Sequence, residues 1–219
     1  MTGAFIDALS ERESEDLRAA GRRASYGAGV TLFHQGDDAG AVIVLLAGRA
    51  KVASLSSAGR EVIVAVRGPG DLVGELAAID SEPRSATVTT LEPVEVLLVP
   101  GSAFAGFLER HPRVALVLLR MLAGRLRYAD AQQADFATND VVGRVAHRLV
   151  ELAERFGATG EERIEVELPL SQEELAGWTG ASREAVSKAL QLLRSLRIIE
   201  TGRRHLTVLD IESLRRRAQ

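Results

Sequence analysis

Gly74-Glu75-Leu76-Ala77-Ala78-Ile79-Asp80-Ser81-Glu82-Pro83-Arg84-Ser85-Ala86-Thr87-Val88 is the stretch from which the rest of this 219-residue chain can be read. Gly74 permits close approach of the backbone, Leu76 to Ile79 leave room for one helical turn with its free N–H groups outward, and Arg84 supplies a planar fork of donors. Together they make an anion cradle. Glu75 is out of place in a site for a bare phosphate, because like charges repel; its natural partner is a hydroxyl or Arg84 itself. A phosphate that carries a sugar satisfies both demands.

Outward from this stretch, between Tyr26 and Val99, the chain is a series of short apolar runs rich in β-branched residues: Val30–Phe33, Val42–Leu46, Val52–Leu55, Val62–Val66, Ala86–Thr90 and Val94–Val99. Gly and Asp turns bound them, among them Gly36-Asp37-Asp38, Ala47-Gly48, Ser57-Ala58-Gly59 and Gly68-Pro69-Gly70-Asp71. Many short strands at regular spacing predict a β-sandwich or roll, with the 74–88 stretch as a binding loop on that scaffold. Ahead of it, Phe5–Ala20 reads as a helix with Phe5, Ile6, Leu9 and Leu17 apolar.

A second architecture starts at His111-Pro112, since proline at a first helical position is pre-organised for a helix. The helical pattern runs to Thr138, interrupted only by Gly124. Leu119, Leu122, Leu126, Ala129, Gln133 and Phe136 recur at alternating spacings of three and four, a heptad seam that predicts pairing with a second copy. Leu116 and Leu118 lie off that seam and predict packing on the helix's own roll. Thr138-Asn139-Asp140 then caps an amphipathic helix, Val141–Phe156, which Gly157 ends. The boundary between the parts is placed in this hinge, giving a roll at 1–110, a dimerisation helix at 111–137 and a C-terminal domain at 138–219.

In that last domain a strand is predicted at Arg163–Leu168. Ser171 with Glu174 forms a capping box that opens a short helix stopping near Thr179-Gly180. Ser182 caps the next helix, whose buried stripe is Val186, Ala189, Leu190 and Leu193. Its opposite stripe is Arg183, Glu184, Ser187, Lys188 and Gln191. Two helices joined by a Gly-containing turn fit a helix-turn-helix, and the exposed side chains suit base edges. Arg183 can donate twice to guanine, Glu184 can accept from cytosine N4, and Lys188 can reach a guanine or a phosphate. Ser171, Gln172 and Ser182, at helix starts, would position the DNA backbone. Ile198–Glu200 and His205–Leu209, joined by Thr201-Gly202-Arg203-Arg204, predict a wing with a basic tip, including Arg203. Leu214–Arg217 reads as a basic tail.

Composition agrees and excludes much. The net charge is −3, but from Ser171 onward nine Lys/Arg against six Asp/Glu leave a local +3, which points to a polyanion partner. There is no cysteine, so disulfides and thiolate metal sites are excluded. The four histidines, His34, His111, His147 and His205, are scattered, so no metal-dependent catalytic set is formed and no enzyme is expected. No run is long enough for a membrane span and no signal segment opens the chain, so a cytoplasmic protein is expected.

The 74–88 stretch closely resembles the phosphate-binding cassette of cyclic-nucleotide-binding domains. With Ala181-Ser182-Arg183-Glu184-Ala185-Val186-Ser187-Lys188 it resembles, over essentially the whole chain, the catabolite-activator (Crp/Fnr) family of bacterial transcription regulators. That resemblance implies an α+β chain in three parts: a cyclic-nucleotide-binding β-roll (jelly roll), a dimerisation helix and a winged helix-turn-helix. It implies that Glu75 binds a ribose 2′-hydroxyl, that Arg84 and Ser85 bind the cyclic phosphate, and that Arg183, Glu184 and Lys188 read TGTGA-like half-sites of a palindrome. Double-stranded DNA, a second copy of the chain and RNA polymerase are the implied partners. One departure matters. Where cAMP-responding relatives offer a Thr followed by a Ser or Asn to the purine, this chain has Ala129 and Asp130. Asp130 accepts either from an adenine amino group or from guanine N1 and N2, so cAMP is the first expectation, cGMP the second and a non-responding pocket the third. Arg125, one turn before Ala129, is expected to pair with Glu75. A rival reading keeps the nucleotide-binding roll but makes the C-terminal domain a protein-docking surface.

Overall fold

The structure, a computed structural model, describes residues 4–56, 59, 61–159, 163–167, 170–202 and 204–218, with only the backbone at 134–138. Contacts divide the chain into two compact units, Met1–Ala129 and Asp130–Gln219. The division falls inside the long helix, upstream of the 138–140 hinge where the sequence places the boundary.

The first unit opens with α1 (Glu11–Ala19), shorter than the helix expected over Phe5–Ala20. Ser10 is the reason: its side chain accepts from Glu13 N, and Glu13 answers to the Ser10 N–H, so the helix begins there, while Ile6–Ala8 form a separate 3-10 turn. Eight strands follow, in two four-stranded sheets. One has the order β1 (Arg22–Tyr26), β8 (Val94–Pro100), β3 (Ala41–Ala47), β6 (Leu72–Val73); the other has β2 (Thr31–Phe33), β7 (Thr87–Thr90), β4 (Ala50–Leu55), β5 (Glu61–Arg67). The run Val42–Leu45 is apolar without alternation because β3 is covered on both faces. Ile43 and Leu45 point into the roll, whereas Val42 and Val44 meet a layer of helices.

That layer includes α3 (Gly101–Arg110), which the sequence reading does not separate from the roll, and the start of α4 (Pro112–Thr138). Phe104 and Phe107 of α3 and Val114, Leu118 and Met121 of α4 are buried in one cluster with Phe5 and Leu17. The exposed side of α4 departs from the expected seam. Leu119 and Leu126 are 60% and 63% exposed, but Leu122 is half-buried against the helical layer, and Leu116, 54% exposed, lies on the open face. The open line is therefore Leu116, Leu119, Ala123 and Leu126. Burial of Leu118 and Met121 fixes the helix's rotation and carries Leu122 inward with them. The Phe136 side chain lies outside the described residues.

In the second unit α5 (Val141–Phe156), capped by Asp140, packs with α6 (Gln172–Thr179), α7 (Arg183–Ser195) and α8 (Ile211–Arg217). A sheet runs β11 (Ile199–Gly202), β12 (His205–Val208), β10 (Ile164–Glu167), β9 (Ala158–Thr159). The expected basic tail is α8, a capped helix: Asp210 accepts from Ser213 N, Leu214 is fully buried, and Arg215 reaches Glu154 of α5 at 2.8 Å. Arg148 and Glu151 are buried on α5, with the Arg148 guanidinium 5.1 Å from the Trp178 ring.

Candidate functional site

A cavity of about 480 Å³ opens in the first unit. Gly74, Glu75, Leu76, Arg84, Ser85, Ala86 and Arg125 all line it, so the structure brings together seven of the eight side chains expected of a ligand site. The eighth, Asp130, begins the second unit and is exposed on α4.

Local backbone chemistry explains the placement. Gly74 has φ 78, in the left-handed region, and starts α2 (Glu75–Asp80). A Cβ at this position would fall on Arg84 Nη1, so only glycine lets the guanidinium settle here. Arg84, 5% exposed, donates from Nη1 to Gly74 O and from Nη2 to Ala41 O, both at 2.7 Å, and lies 4.3 Å from the centre of the Phe33 ring. Two of its five N–H donors are thus spent on carbonyls, and the buried Nε has no acceptor among the described residues. Burial pushes the pKa of this guanidinium down, against the pull of Asp37 and Glu75. A side chain so clamped is a fixed cation with donors in reserve, which suits an anion.

Glu75 does not pair with Arg84. Its carboxylate, 3% exposed, accepts from Arg125 Nη1 of α4 at 2.6 Å, and Arg125 Nη2 donates to Leu72 O at 2.9 Å. The 74–88 stretch is thereby tied to α4, and Arg125 compensates the charge of the buried carboxylate. Ser85 is exposed at the cavity's edge and Ala86 is buried. Sequence reasoning missed Phe33, the Ala41 carbonyl, Ser54 and Arg67. The last two also line the cavity, and only strand register reveals them.

The second unit places the remaining residues on two helix starts. Ser171 Oγ accepts from Glu174 N at 3.1 Å, and Ser182 Oγ accepts from Ala185 N at 3.2 Å. Gly180, with φ 59, turns the chain between α6 and α7. Val186, Ala189, Leu190 and Leu193 are buried, whereas Gln172, Ser182, Arg183, Glu184 and Lys188 are exposed and Ser187 is half-buried. The Glu184 carboxyl is held below the usual range by its own backbone N–H first, then by the Ser182 hydroxyl, with Arg183 and Lys188 adding to it. It is an acceptor at neutral pH. Arg144 of α5, not anticipated, donates from Nε to Thr179 O at 2.8 Å and so fixes the end of α6. Arg203, expected from the sequence at the wing tip, lies outside the described residues. Among the described residues no His/Cys/Asp/Glu group is placed to hold a metal ion, and no helix is long and apolar enough to cross a membrane.

A roll with a caged arginine facing a cavity and a winged helix-turn-helix define a class of transcription regulator that carries a small-molecule domain and a DNA-binding domain in one chain. The chain belongs to the Crp/Fnr family of these regulators. A cyclic nucleotide-binding domain model matches residues 23–111 and a Crp-like helix-turn-helix domain model matches residues 143–217. The CRP-like cAMP-activated global transcriptional regulator of Mycobacterium tuberculosis is 35% identical over 87% of this chain and 85% of its own. The cyclic AMP receptor protein of Thermus thermophilus is 30% identical over 83% and 81%. Among solved structures, FixK2 from Bradyrhizobium japonicum has a TM-score of 0.81 at 25% identity, covering 91% of this chain and 98% of that one. The chain is a DNA-binding transcription regulator with a cyclic nucleotide-binding domain, not an enzyme.

Proposed function

We propose that this regulator is a homodimer whose affinity for a DNA palindrome is set by a 3′,5′-cyclic purine nucleotide held against Arg84. The observation that carries the reading is the caged guanidinium: buried, pinned by two carbonyls, with Nε unspent among the described residues, on a residue that lines an otherwise largely apolar cavity. An anion of a single phosphate satisfies it, Ser85 adds a hydroxyl beside it, and the apolar walls accept a base. cAMP is the ligand in the names of the two relatives above and is the first to test. Arg125, bonded to Glu75, passes occupancy of the cradle to α4.

The exposed leucines of α4 support a second copy as the partner. Nucleotide favours one arrangement of the two α4 helices and thereby spaces the two copies of α7 about one DNA turn, roughly 34 Å, apart. Arg183, Glu184 and Lys188 then read TGTGA-like half-sites, with Ser171, Gln172, Ser182, Ser187 and Arg203 at the backbone. Such a protein acts in the cytoplasm, with RNA polymerase as its further partner.

Isothermal titration and footprinting with and without nucleotide test this. Arg84→Ala is expected to weaken nucleotide binding by roughly 10- to 150-fold, the worth of a hydrogen bond to a charged group, and to abolish the nucleotide-dependent footprint. Its circular dichroism spectrum stays that of the wild type. An unchanged nucleotide response in this variant overturns the assignment.

A further inference from the structure

Asn139 and Asp140 are the two residues between α4 and α5, and at Asp140 the backbone is extended, with φ −69 and ψ 175. The helical hydrogen-bond ladder stops there, and residues outside a ladder are where a chain absorbs changes of φ and ψ. Beyond this hinge α5 packs with α6 and α7, which holds the three helices to one another. Apolar packing is non-directional, however, and leaves the angle at which α4 enters that group unset.

Arg144 spans the hinge. From the first turn of α5 its Nη1 donates back to Asn139 O at 2.7 Å, while its Nε donates to Thr179 O at 2.8 Å. Thr179 is the last residue of α6 and fully buried, and its hydroxyl donates to Leu175 O at 2.9 Å, so this carbonyl belongs to a fixed helix end. Only Gly180 and Ala181 separate it from Ser182, the cap of α7. At the hinge itself Asn139 Nδ2 donates to Ala218 O, just past α8, at 3.4 Å, and Gly143 lies so close to the same helix end that a Cβ would come within 3.2 Å of Arg217 O. Asn139 is thus held through both its carbonyl and its side chain.

The guanidinium is one rigid plane of donors. Two of its N–H groups bonded to two carbonyls fix where those carbonyls stand relative to one another, which an ammonium on a flexible stem does not. We propose that Arg144 is a positioning residue that couples the α4–α5 hinge to the turn between α6 and α7, so that a change in α4 reaches α7 as a displacement instead of being absorbed at the hinge. This rests on the nucleotide-gated reading above and names the link through which nucleotide acts on DNA affinity.

The test is fluorescence anisotropy of a labelled palindromic TGTGA duplex titrated with the full chain, with cAMP, with cGMP and with neither, for wild type, Arg144→Met and Arg144→Lys. The quantity read is the ratio of DNA affinities with and without nucleotide. Both variants are expected to reduce that ratio by roughly 2- to 30-fold. Because coupling is reciprocal, the gain in nucleotide affinity that DNA confers is expected to fall by the same factor in calorimetric titration. Arg144→Lys keeps a cation at the end of α6 without the fork. A merely structural arginine lowers DNA affinity equally with and without nucleotide; that unchanged ratio overturns the assignment, and so does a ratio fully kept by Arg144→Lys. A wild-type ratio preserved in both variants removes only the role of Arg144, whereas wild-type DNA affinity that neither nucleotide moves removes the nucleotide reading itself and the coupling with it.

Discussion

Arg84 and Arg183 are both proposed to meet a phosphorylated partner, yet the fold treats them oppositely. Arg84 is stripped of water and held by Gly74 O, Ala41 O and the Phe33 face, so its rotamer is settled before any ligand arrives. Arg183 is exposed at the first position of α7, free to adapt to a base edge. Arg183→Ala is expected to cost about 1–3 kcal/mol of discrimination at one guanine per half-site, measured by competition between matched and mismatched duplexes. An equal loss across random DNA makes it a phosphate contact instead. Arg84 was legible because Gly74 and Pro83-Arg84-Ser85 stand at fixed spacing around it. Phe33 and Ala41 were not, because their contact with it is made across the sheets.

Among the elements, α4 carries two different faces. Its N-terminal turn is clasped to α1: Arg113 donates to the Glu13 carboxylate, and His111 lies 3.0 Å from Asp16. Glu13 is held well below the usual carboxylate range, at about 2 instead of 4.5, first by Arg113 and then by the Ser10 N–H. A carboxyl whose folded pKa is depressed contributes stability above its unfolded pKa and loses it as pH falls through the folded one. Wild-type stability is therefore expected to fall between pH 4.5 and 2, and Glu13→Gln to flatten that limb in urea unfolding followed across this range. An unchanged slope shows that the clasp does not contribute. The open face, Leu116, Leu119 and Leu126, is the one proposed to meet a second copy. Leu119→Asp with Leu126→Asp is expected to forfeit roughly 1.5–3 kcal/mol per leucine and to give monomers in analytical ultracentrifugation. The heptad spacing announced such a face; Leu119 and Leu126 of it are open and Leu122 is half-buried, because packing of Leu118 and Met121 sets the rotation of a helix and a repeat alone does not.

For the molecule as a whole, charge distribution gives a prediction that separates a DNA regulator from a protein-docking module. The C-terminal segment's local excess of +3 sits on a chain of net charge −3. DNA affinity is expected to fall linearly with salt on a log–log plot, with a slope of about −0.9 per phosphate neutralised; a flat line favours protein docking. The sequence by itself determined the order of the parts, the capped starts of α6 and α7 at Ser171 and Ser182, the stripe Val186–Leu193, and the cassette around Gly74. These are local signals, written in spacings of two to seven residues. α3 escaped because Gly101 and Gly106 weaken its helical pattern, and β1 because Arg22-Arg23-Ala24-Ser25-Tyr26 becomes a strand only by pairing with β8. The pairing of Glu75 with Arg125, expected from the sequence, is present; tertiary structure alone decided that Phe33 and the Ala41 carbonyl hold Arg84, that Leu122 turns inward and that Arg67 lines the cavity. Each of these contacts joins residues brought together by register or helix rotation, and such geometry comes from burying apolar faces across the fold, which no single stretch of chain encodes.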